Sequence, residues 1–281
     1  MFPEILKAMI FGIVEGITEW LPVSSTGHLI LLYEIPFLKL NVSEAFSEMF
    51  DVVIQLGAIL AVIVLFFHKL NPFSPKKSRR QKNATWILWF KVIVAVMPSA
   101  VLGLLFDDWL DEHLYNYVVV AATLILYGIA FIIIEARHKN TLPSIDRVEC
   151  IDWRTALFIG MFQCLALIPG TSRSGSTILG SILIGVSRSA ASEFSFFLAI
   201  PTMLGASALK ALKFILGGAA ITSTEVMVLI VGSVVSFLVS LVVIRGLMQY
   251  VRKHSFSSFG VYRIILGTLV LLYAGYQTFA R

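Results

Sequence analysis

Residues 12–28 read GIVEGITEWLPVSSTGH and set Glu15, Glu19, a proline, a Ser-Ser-Thr run and His28 in otherwise apolar surroundings. Glu15 and Glu19 are four residues apart, so a helix carries both on one face, where like charges repel by about 0.2–0.5 kcal/mol. Their surroundings cost more, since an ionised side chain at bilayer depth is unfavourable by about 2.5–3.5 kcal/mol. Two such groups would offset much of the roughly 5–15 kcal/mol that stabilises a fold, so they require a cation, a proton or a water-filled cavity. Pro22 lacks an N–H and pushes the residue before it out of the helical region, which ends the helix. Ser24-Ser25-Thr26-Gly27 then suits a turn and the cap of a following helix. A helix starting near Ser24 puts Ser25 and His28 at i,i+3, and a hydroxyl beside an imidazole is the minimum for an activated nucleophile.

The design returns 148 residues later, where residues 160–177 read GMFQCLALIPGTSRSGST. Gly12 matches Gly160, Glu15 matches Gln163, Ser24 matches Ser172, Thr26 matches Ser174 and Gly27 matches Gly175. Leu167 stands where Glu19 would be, and Arg173 where Ser25 would be. One copy is acidic and nucleophilic, the other cationic. Backbone N–H groups at a helix start bind anions, and arginine meets phosphate oxygens with a two-point fork. Arg173 with the hydroxyls of Ser172, Ser174 and Thr177, and Ser24 and Thr26 from the first copy, are the candidate phosphate ligands. Glu15 and Glu19 opposite them would let a divalent cation bridge carboxylate to diphosphate and keep several waters, as magnesium prefers. Such a cation polarises a phosphoryl group and neutralises developing charge.

The elements that must position these groups are apolar helices. The chain of 281 residues is 58% hydrophobic and 14% charged, against about 25% charged in soluble domains, which makes it an integral membrane protein. Its net charge of +5 lies in loops between apolar runs, a positive-inside signal rather than a nucleic-acid footprint. Cys150 and Cys164 have neither disulfide-framework nor zinc spacing. The first apolar stretch is interrupted by Glu15 and Glu19 and lacks a basic leader and cleavage signal, so it reads as part of the mature fold.

A crossing of about 30 Å of hydrocarbon takes about 20 helical residues. The stretch 5–33, broken at Pro22, is too short on each side to cross and reads as re-entrant, as does 156–184, broken at Pro169-Gly170. Crossings are expected at 46–67, 84–106 and 117–134 in the first half and at 194–216, 226–244 and 262–276 in the second. The basic segments 68–83 and 137–154 are assigned to the cytoplasm. The acidic residues Asp107, Asp108, Asp111 and Glu112 form an outer loop, and residues 217–224 another. The expected architecture is an all-α membrane domain over 1–281, made of two repeats, about 1–140 and 150–281, each a broken re-entrant pair plus three crossings. Three crossings invert the second repeat relative to the first, and such inverted repeats place a polar site near the midplane, where the two breaks face each other.

Glu15-x-x-x-Glu19 followed by Pro22-Val-Ser-Ser-Thr-Gly-His28, together with residues 169–177, resembles the two signature motifs of bacterial undecaprenyl-diphosphatases of the bacitracin-resistance type. Phe50-Asp-Val-Val-Ile-Gln-Leu-Gly57, Ser187-Arg188 and Glu193-Phe-Ser-Phe196 resemble that family too, so the likeness covers nearly the whole chain. It implies hydrolysis of a C55 isoprenyl diphosphate to the monophosphate and phosphate, which recycles the cell-wall carrier lipid and confers bacitracin resistance. It implies a magnesium or calcium requirement and a multi-pass protein of the bacterial cytoplasmic membrane with its active site open to the outer side. The partners expected are a polyprenyl diphosphate, membrane lipids and a second copy in a homodimer, with no nucleic acid. Carried over, Glu15 and Glu19 are the metal-binding acidic motif, Glu19 acting in catalysis as well, Ser25 and His28 the hydroxyl–imidazole pair, and Arg173 the phosphate clamp. Attack by Ser25 and attack by a water both fit. A secondary transporter, with Glu15 and Glu19 coupling ion movement, and a lipid-binding scaffold are the rival classes. Neither uses a Ser25–His28 pair opposite a phosphate-type loop.

Overall fold

The computed structural model describes residues 2–218 and 220–279. They form eleven α-helices: α1 (Phe2–Thr18), α2 (Ser25–Tyr33), α3 (Glu44–Leu65), α4 (Phe67–Leu70), α5 (Arg79–Leu114), α6 (Tyr117–His138), α7 (Trp153–Cys164), α8 (Arg173–Leu183), α9 (Arg188–Leu216), α10 (Ser223–Tyr250) and α11 (Ser257–Phe279). Among the described residues the only β pairing is an isolated bridge between Ile145 and Val186. Helices α3, α5, α6, α9, α10 and α11 are long and apolar enough to cross a membrane.

Local chemistry sets the helix starts. Ser43, Asn116, Asp152 and Ser187 each accept an amide of the first turn, which satisfies a donor the helix leaves open. Ser78 with Gln81, and Thr222 with Glu225, form reciprocal capping boxes at α5 and α10. Pro98 and Pro201 lie inside α5 and α9, as membrane helices tolerate when neighbouring helices satisfy the freed carbonyls. The helices overrun several expected crossings, α10 ending at Tyr250 rather than 244 and α11 starting at Ser257 rather than 262, and two departures have a local cause. The acidic stretch expected as an outer loop is helical, because nothing between Phe106 and Leu114 is a glycine or proline and α5 runs on to Leu114. The side chains of Asp107 and Asp111 lie outside the described residues. Helix α9 starts at Arg188 rather than 194, because Ser187 caps it there.

Several helix contacts recur in both halves, although α8 packs on α9 without a comparable α2–α3 contact. Helix α1 lies on α10 as α7 lies on α5, α3 meets α10 as α9 meets α5, and α2 touches α11 as α8 touches α6. The remaining large contacts, α3 on α9 and α6 on α11, pair equivalent helices. Small residues permit the close approaches. A Cβ at Gly12 would stand 2.5 Å from the Gly232 carbonyl of α10, and one at Gly160 would stand 2.0 Å from the Ala95 carbonyl of α5. The breaks between α1 and α2 and between α7 and α8 therefore meet inside the bundle.

One end of the bundle collects the basic loops. Lys69 bonds Glu149 and Glu193, each at 2.6 Å, and Arg188 makes a two-point pair with the buried Glu135, which also accepts the Phe256 amide. Burial alone would lower the Lys69 pKa, but the two carboxylates outweigh it and hold the ammonium above its ordinary value.

Candidate active site

Both breaks turn on a serine in an uncommon conformation. Ser24 and Ser172, equivalent in the two copies, each have φ of 71°, and among the described residues they are the only non-glycines with positive φ. Such backbone costs about 1–3 kcal/mol per residue and persists only where its surroundings impose it. Each serine caps the helix it opens: Ser24 Oγ accepts from the Gly27 amide at 3.3 Å, and Ser172 Oγ from the Gly175 amide at 3.1 Å. Helices α2 and α8 thus start at one junction, with their amide ends turned to a common region that favours an anion.

Glu19 is the centre of that junction. It follows the last turn of α1, its amide still bonded to the Glu15 carbonyl at 3.0 Å. Ser25 Oγ donates to Glu19 Oε2 at 2.9 Å, and Arg173 Nη2 donates to Oε1 at 3.1 Å. The other arm of Arg173 donates to the Ser195 carbonyl at 2.7 Å, and its carbon lies 5.9 Å from the centre of the buried Trp20 ring. Ser174 Oγ reaches across to the Glu19 carbonyl at 3.0 Å, stitching the second break to the first. Thr177 shares a 2.7 Å hydrogen bond with Ser195 and donates to its own helix. Ser174 and Thr177, expected as phosphate ligands, are fully buried with their hydroxyls engaged by protein; Ser172 and Thr26 line open space, with the Ser172 hydroxyl also sharing a 3.2 Å hydrogen bond with Ser174. Ser24 is buried under the turn.

His28 departs from the expected pairing with Ser25. Its Nδ1 lies 2.7 Å from the Ser24 carbonyl and its Nε2 2.6 Å from the Tyr262 hydroxyl, with the two rings stacked at 5.6 Å. A carbonyl only accepts, so Nδ1 carries the proton and Nε2 of the neutral ring accepts from Tyr262. The face of α2 that lines the open space carries Ser25, Thr26, Leu29, Ile30 and Tyr33, and His28 is turned from it toward α11. The bond back to its own helix holds the ring there, which leaves Glu19 as the partner of Ser25.

Two cavities meet at Ser25, Thr26 and Gln55. The first, about 400 Å³, has Glu19, Ser172 and Arg173 on its wall and continues between α5 and α9 along residues such as Val96, Gly103, Leu104 and Met203. The second, about 650 Å³, is more acidic, with Glu34, Glu48 and Asp51 beside Lys210, and it reaches the turn between α5 and α6 at Tyr115 and Asn116. Asp51 there accepts from Tyr33 at 2.6 Å. The sequence marks Gln55 and Ser195 only as members of the family-like stretches 50–57 and 193–196, with no role assigned, and it leaves out Trp20, an ordinary residue of an apolar segment until Arg173 arrives.

Glu15 is fully buried and neither carboxylate oxygen has a hydrogen-bond partner. Glu19, Asp51 and Arg173 are the charges it feels most. A carboxylate so placed fits a divalent cation that takes oxygen ligands. Among the described residues no group of three or more His, Cys, Asp or Glu could hold an ion.

Comparison with known proteins matches this chain to the family of the bacitracin resistance protein BacA over residues 8–269. It is 58% identical over 273 residues to an undecaprenyl-diphosphatase of Enterococcus faecalis, covering 97% of this chain and 98% of that protein. It is 57% identical over 273 residues to one of Streptococcus mutans, covering 97% of each. A third, from Lactiplantibacillus plantarum, is 57% identical over 270 residues, covering 96% of this chain and 98% of that protein.

Proposed function

This chain belongs to the BacA family, and from that membership we infer that it is an undecaprenyl-diphosphatase. It is a multi-pass membrane hydrolase that converts undecaprenyl diphosphate to undecaprenyl phosphate and phosphate, and bacitracin resistance is the property that goes with that activity.

For the chemistry we propose attack by Ser25 with Glu19 as its base, and the 2.9 Å hydrogen bond between them carries this reading. Ser25 Oγ attacks the terminal phosphorus, its proton passes to Glu19, the anhydride P–O bond breaks, and Glu19 hands that proton to the departing undecaprenyl phosphate oxygen. Water then attacks the phosphoserine, Glu19 takes a proton from it and returns it to Ser25 Oγ as the P–O bond to serine breaks, releasing phosphate and free Ser25. Arg173 is the clamp: in the free enzyme it rests on Glu19, and a diphosphate would draw its planar fork onto phosphoryl oxygens, leaving Glu19 free to accept the proton. The amide ends of α2 and α8 and the hydroxyls of Thr26 and Ser172 surround the same anion. The apolar cavity between α5 and α9 suits the isoprenyl chain.

Glu15 and Glu19 would hold a magnesium or calcium ion, which supplies charge neutralisation at the phosphoryl oxygens. The unpartnered Glu15 carboxylate supports that assignment.

We further read the halves as inverted repeats in the bacterial cytoplasmic membrane, with the site open outward. The recurring contacts, α1 on α10 as α7 on α5 and α2 on α11 as α8 on α6, support the first point. The acidic cavity leads away from the end that holds the Lys69 and Arg188 loops, and basic loops stay in the cytoplasm, which supports the second. Phosphate release from a prenyl diphosphate by detergent-purified protein, with and without EDTA, tests the whole reading. Binding without phosphate release would return the chain to a transporter or a scaffold.

A further inference from the structure

Arg263 lies on α11, far in sequence from both motifs, and is fully buried. Among the described residues no carboxylate pairs with it. Its Nη1 donates to the Pro22 carbonyl at 3.2 Å, and its Nη2 to the carbonyls of Gly170 at 2.9 Å and Thr171 at 3.0 Å. The ring of Tyr127 stands 5.5 Å from the guanidinium carbon. Pro22 and Gly170 are equivalent positions of the two copies, each two residues before the positive-φ serine of its break. One guanidinium thus holds the same carbonyl in both copies, one nitrogen to each. A buried cation without a counter-ion is costly, and carbonyl dipoles compensate it only while all of them converge. Moving either break away would strip its carbonyl from Arg263.

From this geometry we propose that Arg263 is a positioning residue for the hydrolysis. It sets the Ser24 turn, which carries Ser25 and Glu19, in register with the Ser172 turn, which carries Arg173. It touches neither substrate nor the reacting atoms. A guanidinium can do this because its donors lie in one rigid plane and diverge toward two carbonyls; a lysine has one nitrogen to share between them. The proposal rests on the diphosphatase reading, and it adds that nucleophile-to-clamp alignment depends on α11.

The test is kcat and KM for a prenyl diphosphate, with thermal melting in detergent, for wild type, Arg263→Lys, Ser25→Ala and the Arg263→Lys/Ser25→Ala double variant. We expect Arg263→Lys to lower kcat at least about tenfold with KM within about threefold, because each half keeps its own phosphate ligands while their alignment is lost. In the Ser25→Ala background the same change should cost little more, since there is no nucleophile left to align. A merely structural role would reduce kcat by the same factor in both backgrounds. Wild-type kcat in Arg263→Lys, or additive losses in the double variant, overturns the proposal. If Arg263→Lys does not fold, Gly175→Ala decides: its Cβ would stand 3.1 Å from Nη1 and 3.2 Å from Ser172 Cβ, so displacement of the guanidinium is read in kcat and displacement of Ser172 in KM. A fall in kcat at unchanged KM and melting temperature supports the proposal there, and an unchanged kcat or a rise in KM alone overturns it. Absence of phosphate release by the wild type would instead defeat the diphosphatase reading.

Discussion

Ser25 Oγ and Glu19 Oε2 are 2.9 Å apart across the first helix break, and Arg173 of the second break holds the other oxygen of the same carboxylate at 3.1 Å. Glu19 is thus shared between Ser25 and Arg173, the proposed nucleophile and the proposed clamp. The guanidinium is paired with the buried carboxylate, and under the proposed reading a diphosphate would compete for it.

Glu19→Gln keeps the shape but can neither accept the Ser25 proton nor pair with Arg173. General-base catalysis contributes about 10²–10⁴-fold, so kcat should fall by at least about a hundredfold. Steady-state phosphate release measures it, and wild-type turnover would remove Glu19 from the mechanism.

Ser25→Ala and His28→Ala should differ. Ser25→Ala should lose at least about 10³-fold in kcat while a non-hydrolysable diphosphonate still binds, since Arg173 is untouched. His28→Ala breaks bonds to Tyr262 and to the Ser24 carbonyl, and the expected loss is about tenfold or less. Equal collapse in both would restore the imidazole as the base of Ser25. Near-normal kcat in Ser25→Ala would make a water the nucleophile.

Glu15→Gln should separate stability from metal binding. Replacing a buried carboxyl that lacks a hydrogen-bond partner by an amide that cannot ionise should leave the melting temperature of chelator-treated protein unchanged or raised, by at most about 1–3 kcal/mol equivalent. The same variant should need more magnesium for half-maximal turnover. A fall in melting temperature together with an unchanged magnesium requirement would show that Glu15 has a different partner.

Lys69→Met should destabilise the end that carries the basic loops, because Glu193, mostly buried, loses its cation. The pH dependence has a defined sign. The native Lys69 pKa is raised, so its contribution is fully present below the ordinary value of 10.5 and is lost as pH rises through the native pKa. The melting temperatures of wild type and Lys69→Met should therefore differ at pH 7 and converge at strongly alkaline pH. A constant gap would assign the effect to packing of the lysine stem.

Six apolar helices and two broken stretches were legible in the sequence because length, hydropathy and proline position act locally. The breaks at Pro22 and Pro169 need no partner to form, and the match of Ser24 to Ser172 announced that the two turns would be alike. Position 28 exposes the limit of such reading. Spacing on α2 allows Ser25 to face His28, but rotation of each side chain follows what surrounds the helix, and here Glu19 takes the hydroxyl while Tyr262 takes the ring. The acidic stretch near the end of α5 shows the same limit at a boundary, since polarity suggested a loop and uninterrupted backbone made a helix. Arg263 is a lone charge inside the expected crossing 262–276, but its partners could not be read: it joins carbonyls of residues 22 and 170, and backbone carbonyls have no letter in a sequence. Sequence alone determined the membrane class and the chemistry at hand. Tertiary structure decided which donor meets which acceptor, because hydrogen bonds depend on tenths of an ångström between segments more than a hundred residues apart.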